Sequence, residues 1–387
     1  MKKLPFLFLG LLTVSLSVLG QKTIPIRRPF STTFSPAALA SLLTSYTVGN
    51  QLKDVCGKTV ILKGVNKMVI FDGTDPEGTI SFPEIAKTGA NCVRIVWGIR
   101  NPDLSNTDDT RLDRIITNAR NNGLIPIVGL WDYMEEIDGG FSKLQQYVDY
   151  WKRPAMVALI RRHQNYLIVN IGDEAAGGDE NNPTDLTTYA NAYKDAIRQL
   201  RTARIRVPLM IDGMDRGKSL HCFAIKGVEI LNADPRKNVI FDFHPYWPKT
   251  DTDGAEGGRF IANKFSQVQG LPIMIVMGEI AKYGAWAGAS SPCSDAGIVD
   301  YQQFIQLAEA QGIGWLVWEW GPGNQWQVAN DCPELDMTTD RTYNSILAIP
   351  PTDRRAWIKE VTIDAVYSIK KTSKKTPYIV SKFKNCR

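Results

Sequence analysis

Short apolar runs recur along the chain, separated by polar or amphipathic stretches. Eight of them are rich in β-branched and aromatic residues, and most are bounded by Gly, Asn or Pro. In chain order they are VILKGVN (60–66), NCVRIVW (91–97), IPIVGLWD (125–132), LIVNIGDE (167–174), VPLMIDG (207–213), NVIFDFHPY (238–246), IMIVMGEI (273–280) and IGWLVWEW (313–320). Their hydrophobicity is too continuous for a sheet with one wet face, so it predicts buried parallel strands.

Amphipathic stretches with a helical period lie between these runs, so strand and helix alternate. One stretch begins at Asp108–Asp109 and ends near Gly123, which is typical of a capped helix. Eight strand–helix units over about 290 residues predict an α/β fold, a closed (β/α)8 TIM barrel. A doubly wound open sheet is the alternative, but no Gly-rich phosphate loop follows the first run.

Segments of different character flank the predicted barrel, which we place at residues 60–349. Residues 1–20 carry two lysines and then an apolar run, which predicts a secretory signal peptide cut before Gln21. Residues 21–59 contain a predicted hairpin that caps the bottom of the first strand. Residues 350–387 form a short basic extension in which ten Lys or Arg outnumber three acids. We expect this extension to be a solvated tail, or else a surface or export contact.

The predicted signal peptide and the charge pattern indicate where the protein acts and which partners are disfavoured. We expect a secreted protein, extracellular or periplasmic, and no later run reaches the roughly 18 apolar residues of a membrane helix. No membrane insertion is therefore predicted. Between leader and extension the chain is mildly acidic, which disfavours nucleic acid as a partner.

The cysteines indicate disulfides rather than a metal site. Six cysteines in an exported chain allow many pairings, and Cys293 with Cys332 is the favoured one because they lie in consecutive long loops. Cys92 lies inside the second run and is expected to be a buried thiol. CxxC spacing is absent and only three histidines are present, so structural zinc is not predicted.

Polar and aromatic side chains stand at the carboxyl ends of the runs, where barrel enzymes place their chemistry. In chain order they are Arg94, Trp97, Trp131, Asp132, Asp173, Glu174, His244, Tyr246, Glu279, Trp318, Glu319 and Trp320. The fourth and seventh runs lie on opposite sides of an eight-stranded barrel, so Glu174 and Glu279 are expected to face each other. Such a carboxyl pair hydrolyses glycosides: one group protonates the leaving oxygen, and the other attacks carbon or activates water.

These residues resemble glycoside hydrolase family 5 over roughly residues 60–347. The motifs ILKGVN, IAKTGANCVRIVW, VNIGDE, LNADPRKNVIFDFHPY, GEIAKYG and GIGWLVWEW stand where that family has its counterparts. The likeness is greatest to bacterial β-1,4-mannanases, with endoglucanases next. It implies a polysaccharide or oligosaccharide substrate and a retaining mechanism without metal or cofactor. We expect the protein to act as a monomer.

The resemblance also implies roles for the residues that act on the glycosidic bond. Glu174 would be the general acid/base and Glu279 the nucleophile. Arg94 would orient Glu279, and Tyr246 would donate a hydrogen bond to it. His244 would support Glu174 and the sugar.

The residues expected to contact sugar depart from the family pattern at two positions. Trp318 is expected to stack beneath the sugar in the cleaved subsite, and Trp320 is a second aromatic candidate. The family has Asn where this chain has Asp173, which when ionised accepts hydrogen bonds without donating them and adds negative charge beside the acid. Trp131, before Asp132, replaces a His, so it loses a hydrogen bond to the sugar and gains a stacking surface.

Three functions are compatible with this pattern. The leading one is a secreted retaining endo-β-1,4-glycanase acting on β-mannan, and the second is a β-1,4-endoglucanase. The third is a carbohydrate-binding pseudoenzyme, in which Asp173 and Trp131 mark lost catalysis; the intact pair Glu174 and Glu279 argues against it. Glu319 is expected to be structural, in a salt bridge. Candidates for outer sugar subsites, or for pinning the top loops, are Trp247, Trp286 and Trp326.

Overall fold

The computed structural model describes residues 44–99, 109–131, 141–249, 257–284, 293–323 and 332–386. The predicted signal peptide, the beginning of the segment after it, and residues Asp108, Asp132, Trp286 and Trp326 lie outside these ranges.

A small antiparallel sheet begins the described chain, as the sequence predicted. Strands β1 (Tyr46–Val48) and β2 (Gln51–Lys53) form a hairpin, and β3 (Thr59–Val60) pairs with β2. Gly49 lies in the two-residue turn with φ +58°, which glycine adopts without strain. The Thr47 N–H donates to the Asn238 side chain (3.0 Å), just before the sixth barrel strand begins. The sheet therefore lies at the amino-terminal end of the barrel.

The eight predicted runs form the eight strands of a closed parallel barrel. The strands are β4 (Lys63–Lys67), β5 (Cys92–Trp97), β6 (Ile125–Leu130), β7 (Ile168–Asn170), β8 (Leu209–Asp212), β9 (Val239–Phe243), β10 (Met274–Ile280) and β11 (Gly314–Val317). Each pairs with the next along the chain, and β11 pairs with β4. The strands are buried throughout, because barrel interior and helices cover both faces. The TIM-barrel prediction is confirmed.

Helices connect the strands and cover the barrel. They are α1 (Ser81–Lys87), α2 (Asp109–Asn121), α3 (Ser142–Lys152), α4 (Pro154–His163), α5 (Pro183–Thr202), α6 (His221–Ala233), α7 (Gly257–Ser266) and α8 (Tyr301–Gln311). Local sequence fixes their ends: the Asn182 side chain accepts the Thr184 N–H at the start of α5, and Gly312 ends α8 at φ +69°. None of the described helices is both long and apolar enough to cross a membrane.

The carboxyl-terminal extension is packed against the protein, so the prediction of a solvated tail is wrong. After α9 (Tyr343–Leu347) it forms three short α-helices, α10 (Ala356–Lys359), α11 (Ile369–Thr372) and α12 (Pro377–Val380), and a π-helical turn (Glu360–Asp364) that follows α10. The Asn91 side chain, just before β5, donates to the Lys374 carbonyl (3.0 Å). Buried side chains of the extension are Trp357, Ile358, Val361, Ile369, Tyr378, Ile379 and Phe383. The charge count was misleading because these apolar residues, interspersed among the lysines, hold the segment against the barrel.

Two disulfides brace the structure. The predicted pair, Cys293 with Cys332, is present, and a second bond joins Cys56 to Cys386. The second bond ties the loop between β2 and β3 to the end of the extension. Cys92 is a buried free thiol, as predicted.

Replacing both Cys56 and Cys386 by Ser is expected to lower the free energy of unfolding by about 2–5 kcal/mol. The bond joins residues 330 positions apart, so it restricts the unfolded chain more than a short loop would. Urea unfolding of the double variant measures the loss. The matched control is the Cys293/Cys332 double Ser variant, whose loop spans 39 positions and whose loss should be smaller. An equal or larger loss in the control would contradict this account.

Candidate active site

Glu174 is held by the neighbouring strand. It lies beyond the end of β7 in a left-handed conformation with φ +51°, which costs a residue with a side chain about 1–2 kcal/mol. Its backbone N–H donates to Asp212 Oδ2 at the end of β8 (2.7 Å). Its carboxylate remains partly exposed. The hydrogen bond to Asp212 thus fixes the backbone of Glu174, while its acid group stays accessible to solvent.

Glu279 lies on β10 with both oxygens bound by donors. Arg94 Nη1 donates to Oε1 (2.8 Å), and the Tyr246 hydroxyl donates to Oε2 (2.9 Å). Both contacts are those that the sequence predicted. The carboxylate is 6% exposed, so it is much drier than Glu174. Two donors and a small exposed surface fix its orientation.

His244 links the two glutamates. Its Nδ1 lies 3.1 Å from Glu174 Oε1 and 3.8 Å from Glu279 Oε1. These two oxygens therefore lie within about 7 Å of each other, a range that includes the roughly 5–5.5 Å typical of retaining glycosidases. The strand positions and the His244 ring together bring the two acids to one place.

The guanidinium of Arg94 is the centre of a buried charge cluster. It lies 2.7 Å from Asp173 and 2.8 Å from Glu279, and 3.8 and 3.7 Å from Asp212 and Asp242. The contact with Asp173 Oδ1 is an ion pair without the angle of a directed hydrogen bond. Burial disfavours the charge of Arg94, but the four carboxylates raise its pKa well above the ordinary value. Arg94 is therefore permanently charged.

Burial and neighbouring charges shift the pKa values of the groups around Glu279. Burial raises the pKa of Glu279 to about 8; His244 and Arg94 oppose this shift, and Asp173 adds to it. Burial lowers the pKa of His244, but Glu279, Asp242 and Glu174 outweigh burial and raise it well above its usual range. Burial and Glu279 raise the pKa of Tyr246, which keeps its phenol as a donor.

Two of the predicted aromatic residues stand at the rim of the site. Trp318 follows β11 and is partly exposed, and its backbone N–H donates to the Ile280 carbonyl (3.0 Å), one residue beyond Glu279. Trp131 follows β6, is partly exposed, and contacts Phe71 edge to face with ring centres 6.1 Å apart. Both offer aromatic surface near the acids.

Trp320 does not belong to this rim, so the prediction that it contacts sugar is wrong. It is fully buried, and its Nε1 donates to the Arg341 carbonyl (3.2 Å). Glu319 is fully buried and accepts the Met68 backbone N–H (2.9 Å), a structural contact that is a hydrogen bond and not the expected salt bridge. Burial raises the pKa of Glu319 to about 7, and Lys67 opposes the shift.

Trp247 packs against the outer helices. Its ring centre lies 5.6 Å from that of Phe260 on α7 and 5.8 Å from that of Phe304 on α8. These contacts match the alternative in which it pins a loop.

Four polar residues under the acids were missed at the sequence level. They are Asn66, Asn170, Asp212 and Asp242, each fully buried. Asn66 and Asn170 accept hydrogen bonds from Arg94 (3.1 and 2.8 Å). A signal was present: each is a polar residue within an apolar run, and Asp242 lies two positions before His244, on the same face of a strand.

The site contains residue types that can bind a metal ion, but an arginine already supplies the positive charge among them. Two buried groups of possible ligands occur: Asp173, His244 and Glu279; and Asp212, Asp242 and His244. The Arg94 guanidinium lies within 4 Å of all four of these carboxylates. A cation among them would be repelled by that fixed charge, so the residues fit a metal poorly.

Comparison with known proteins gives one family. The sequence model of the cellulase family, glycosyl hydrolase family 5, matches residues 54–324. A mannan endo-1,4-beta-mannosidase of Cellvibrio japonicus (strain Ueda107) is 29% identical over 317 residues, or 80% of this chain and 65% of that protein. A mannan endo-1,4-beta-mannosidase of Salipaludibacillus agaradhaerens is 28% identical over 296 residues, or 76% of this chain and 85% of that protein.

A solved structure has the same fold. It is the catalytic domain of a mannanase from Streptomyces sp. SirexAA-E, with a TM-score of 0.68 at 21% identity. The match covers 92% of this chain and 99% of that domain. At this identity the likeness concerns the fold alone, and it agrees with the closed barrel described above.

Proposed function

Because the chain belongs to glycosyl hydrolase family 5, the cellulase family, we propose that it is a retaining endo-β-1,4-glycanase that hydrolyses β-mannan. In this proposal Glu174 is the general acid/base and Glu279 is the nucleophile. Arg94, Tyr246 and His244 position these two groups.

The observation that carries the proposal is the difference between the surroundings of the two glutamates. Glu279 is buried, and Arg94 and Tyr246 each donate to one of its oxygens. Glu174 is 24% exposed and contacts the same His244 ring from beyond the end of β7. A fixed, dry carboxylate suits attack on carbon, and an exposed one suits proton exchange with a leaving group and water.

The reaction would proceed in two displacements. In the first, a Glu279 oxygen bonds to the anomeric carbon while the glycosidic bond breaks, and Glu174 gives its proton to the departing oxygen. In the second, Glu174 takes a proton from water, the water oxygen bonds to the same carbon, and Glu279 is released. Arg94 and Tyr246 stabilise the carboxylate that leaves in this second step.

Mannan is favoured as the substrate by the names of the relatives. Both relatives described above are mannan endo-1,4-beta-mannosidases. The partly exposed rings of Trp318 and Trp131 are suited to stack on sugar faces. In this proposal Trp318 lies beneath the sugar that is cleaved, and Asp173, in the position of the family's Asn, accepts a hydrogen bond from its 2-hydroxyl.

We also propose that the protein is secreted and works as a monomer. The sequence of residues 1–20 supports export, and the two disulfides are typical of an oxidising compartment. Amino-terminal sequencing of the chain recovered from the culture medium of its host would test export. A chain that begins at Gln21 is the expected result, and an uncleaved chain retained in the cell would contradict it.

The deciding experiment measures reducing ends released from galactomannan, glucomannan and soluble cellulose by the purified chain. Release from galactomannan, with products that first form in the β configuration by proton NMR, is the expected result. Release from cellulose alone would make the enzyme an endoglucanase. Binding to these polymers without release at any pH between 4 and 9 would favour the pseudoenzyme.

Substituting Asp173→Asn is expected to move the acid limb of the kcat/KM profile to lower pH, by roughly one unit. The negative charge of Asp173 raises the pKa of Glu279, and the amide removes that charge at nearly constant shape. Since Glu279 must be ionised to attack, a lower pKa keeps the enzyme active in more acid solution. A pH series of kcat/KM for both proteins measures the shift. An unchanged or more alkaline limb would contradict the proposed effect of Asp173.

A further inference from the structure

Asp242 is a buried carboxylate to which the mechanism above gives no task. It lies on β9, fully buried, and no described residue makes a hydrogen bond to either of its oxygens. The nearest cationic atoms are His244 Nε2, 3.5 Å from Oδ2, and Arg94 Nε, 3.7 Å from Oδ2. A buried carboxylate is costly unless such groups compensate its charge.

The neighbouring strand leaves space for this carboxylate. A Cβ atom added to Gly278 would lie 2.1 and 2.2 Å from the two Asp242 oxygens. Asp242 therefore occupies the side-chain position of the residue just before Glu279. A side chain at position 278 would displace the carboxylate from its place 3.5 Å from His244 Nε2.

The two nitrogens of the His244 ring have different neighbours. Nδ1 lies 3.1 Å from Glu174 and 3.8 Å from Glu279. Nε2 lies 3.5 Å from Asp242 and 3.9 Å from Asp212. No described residue makes a hydrogen bond to Nε2, so the nearby carboxylates act on it through their charge: they repel a lone pair on Nε2 and attract an N–H there. The surroundings therefore favour a proton on Nε2.

Asp242 is better placed than Asp212 to attract a proton on Nε2. The Asp212 oxygens already accept hydrogen bonds from the Asn170 side chain and the Glu174 N–H (both 2.7 Å). Asp242 is also 0.4 Å closer to Nε2. The charged groups around the ring are thus Asp173, Glu174, Glu279, Asp212 and Asp242, with Arg94 beside all of them except Glu174.

We propose that Asp242 is a positioning residue that holds one proton of His244 on Nε2, so that Nδ1 is the nitrogen that shares a proton with Glu174. This rests on the proposed role of Glu174 as acid/base. When Glu174 is protonated, its hydroxyl donates to the free Nδ1. When Glu174 is ionised, a protonated Nδ1 donates to it. The Nε2 proton does not move in either state.

The arrangement matters for the first displacement. If the ring instead kept its only proton on Nδ1, that N–H would donate permanently to Glu174 and favour its ionised form. Glu174 would then be a poor acid towards a sugar leaving group. Asp242 prevents this by fixing which end of the ring carries the proton.

Nitrogen-15 NMR of the histidine rings tests the tautomer directly. The chain has only three histidines, and the His244 signals are those missing from His244→Gln. In the wild-type protein we expect Nε2 to be protonated throughout the pH series and Nδ1 to titrate. Titration at Nε2 would overturn the proposal, and this result needs no activity and no Asp242 variant.

Two variants separate Asp242 from Asp212. In Asp242→Ala we expect a population with the proton on Nδ1, whereas Asp212→Ala should keep it on Nε2. On mannan, Asp242→Ala should lose about 10²-fold in kcat, the size of an acid-catalysis effect. On a dinitrophenyl β-mannoside, whose leaving group needs no proton, the loss should be below about fivefold.

The outcomes distinguish this inference from the proposed function. Equal losses on the two substrates, or an unchanged tautomer in Asp242→Ala, would show Asp242 to be structural only. A wild-type protein that hydrolyses no glycan would overturn the proposed function, while the NMR titration would still decide the tautomer.

Discussion

Replacing Glu279 by Ala is expected to lower kcat on β-mannan by about 10⁴-fold or more. In the proposed mechanism, the first displacement requires a carboxylate oxygen at the position where Arg94 and Tyr246 hold Glu279 (2.8 and 2.9 Å). Nothing else in the described site is aimed by two donors at the same point. Water entering the space left by the side chain has no partner that would make it an equivalent nucleophile.

Added azide identifies the missing group. In Glu279→Ala, azide fills the vacated space and attacks an activated β-mannoside from the face that Glu279 faced, so an α-mannosyl azide should form. Its configuration is read by proton NMR. A β-mannosyl azide from this variant, or undiminished hydrolysis of mannan, would show that Glu279 is not the nucleophile.

The matched control is Glu279→Gln, whose stability is compared with that of the wild-type protein. Burial raises the pKa of Glu279 to about 8, so the folded state binds its proton more tightly than the unfolded chain does. The associated stability is complete below the unfolded value and is lost as pH rises towards 8. Gln carries no such charge, so its stability relative to wild type should increase over this interval. An inactive Glu279→Gln that melts no lower than wild type at pH 7 would exclude unfolding as the cause.

Residues at strand ends could be predicted from the sequence because a parallel barrel brings those ends to one rim. Arg94, Tyr246 and Glu279 come from three different strands and form the two expected hydrogen bonds. His244 likewise contacts Glu174, as expected. Strand positions predicted that these residues meet at one rim, and the resemblance to glycoside hydrolase family 5 supplied the individual contacts. Each run contains one barrel strand, although β4 ends at Lys67, one residue beyond its run.

Two-residue alternation fails where the chain leaves the strand. Strand β11 ends at Val317, so Trp318 and Trp320 lie beyond it and do not share a face. Trp318 stays at the rim, and Trp320 turns into the core. The same rule, applied inside β9, would have paired Asp242 with His244, because both lie within or next to regular strand.

The extension shows a different limit. Its net charge is a property of the surface it presents, whereas its position depends on a few apolar side chains and on Cys386. A count of charged residues does not separate the side chains on the surface from those that hold the segment in place. A charge count therefore predicted solvation for a segment that forms part of the amino-terminal end of the barrel.

Replacing Glu174 by Ala is expected to give a loss that depends on the leaving group. On mannan, where the departing sugar hydroxyl needs a proton, kcat should fall about 10²–10⁴-fold. On a dinitrophenyl β-mannoside the first displacement needs no acid, so the glycosyl-enzyme should form at a rate close to that of wild type. The second displacement lacks its base, so the intermediate should accumulate, and a burst of dinitrophenol should precede slow turnover.

Added azide also tests the role of Glu174, and the expected product has the opposite anomeric configuration. In Glu174→Ala, Glu279 is intact and occupies the α face, so azide attacks the glycosyl-enzyme from the β face and releases a β-mannosyl azide. The pair of variants is thus read by stereochemistry alone: α from Glu279→Ala and β from Glu174→Ala. If both gave the same azide, or if Glu174→Ala lost equal activity on both leaving groups, the roles assigned to the two glutamates would be wrong. The burial of Glu279 and the exposure of Glu174 favour the assignment made here, since only a group in contact with the cleft exchanges protons with both sugar and water.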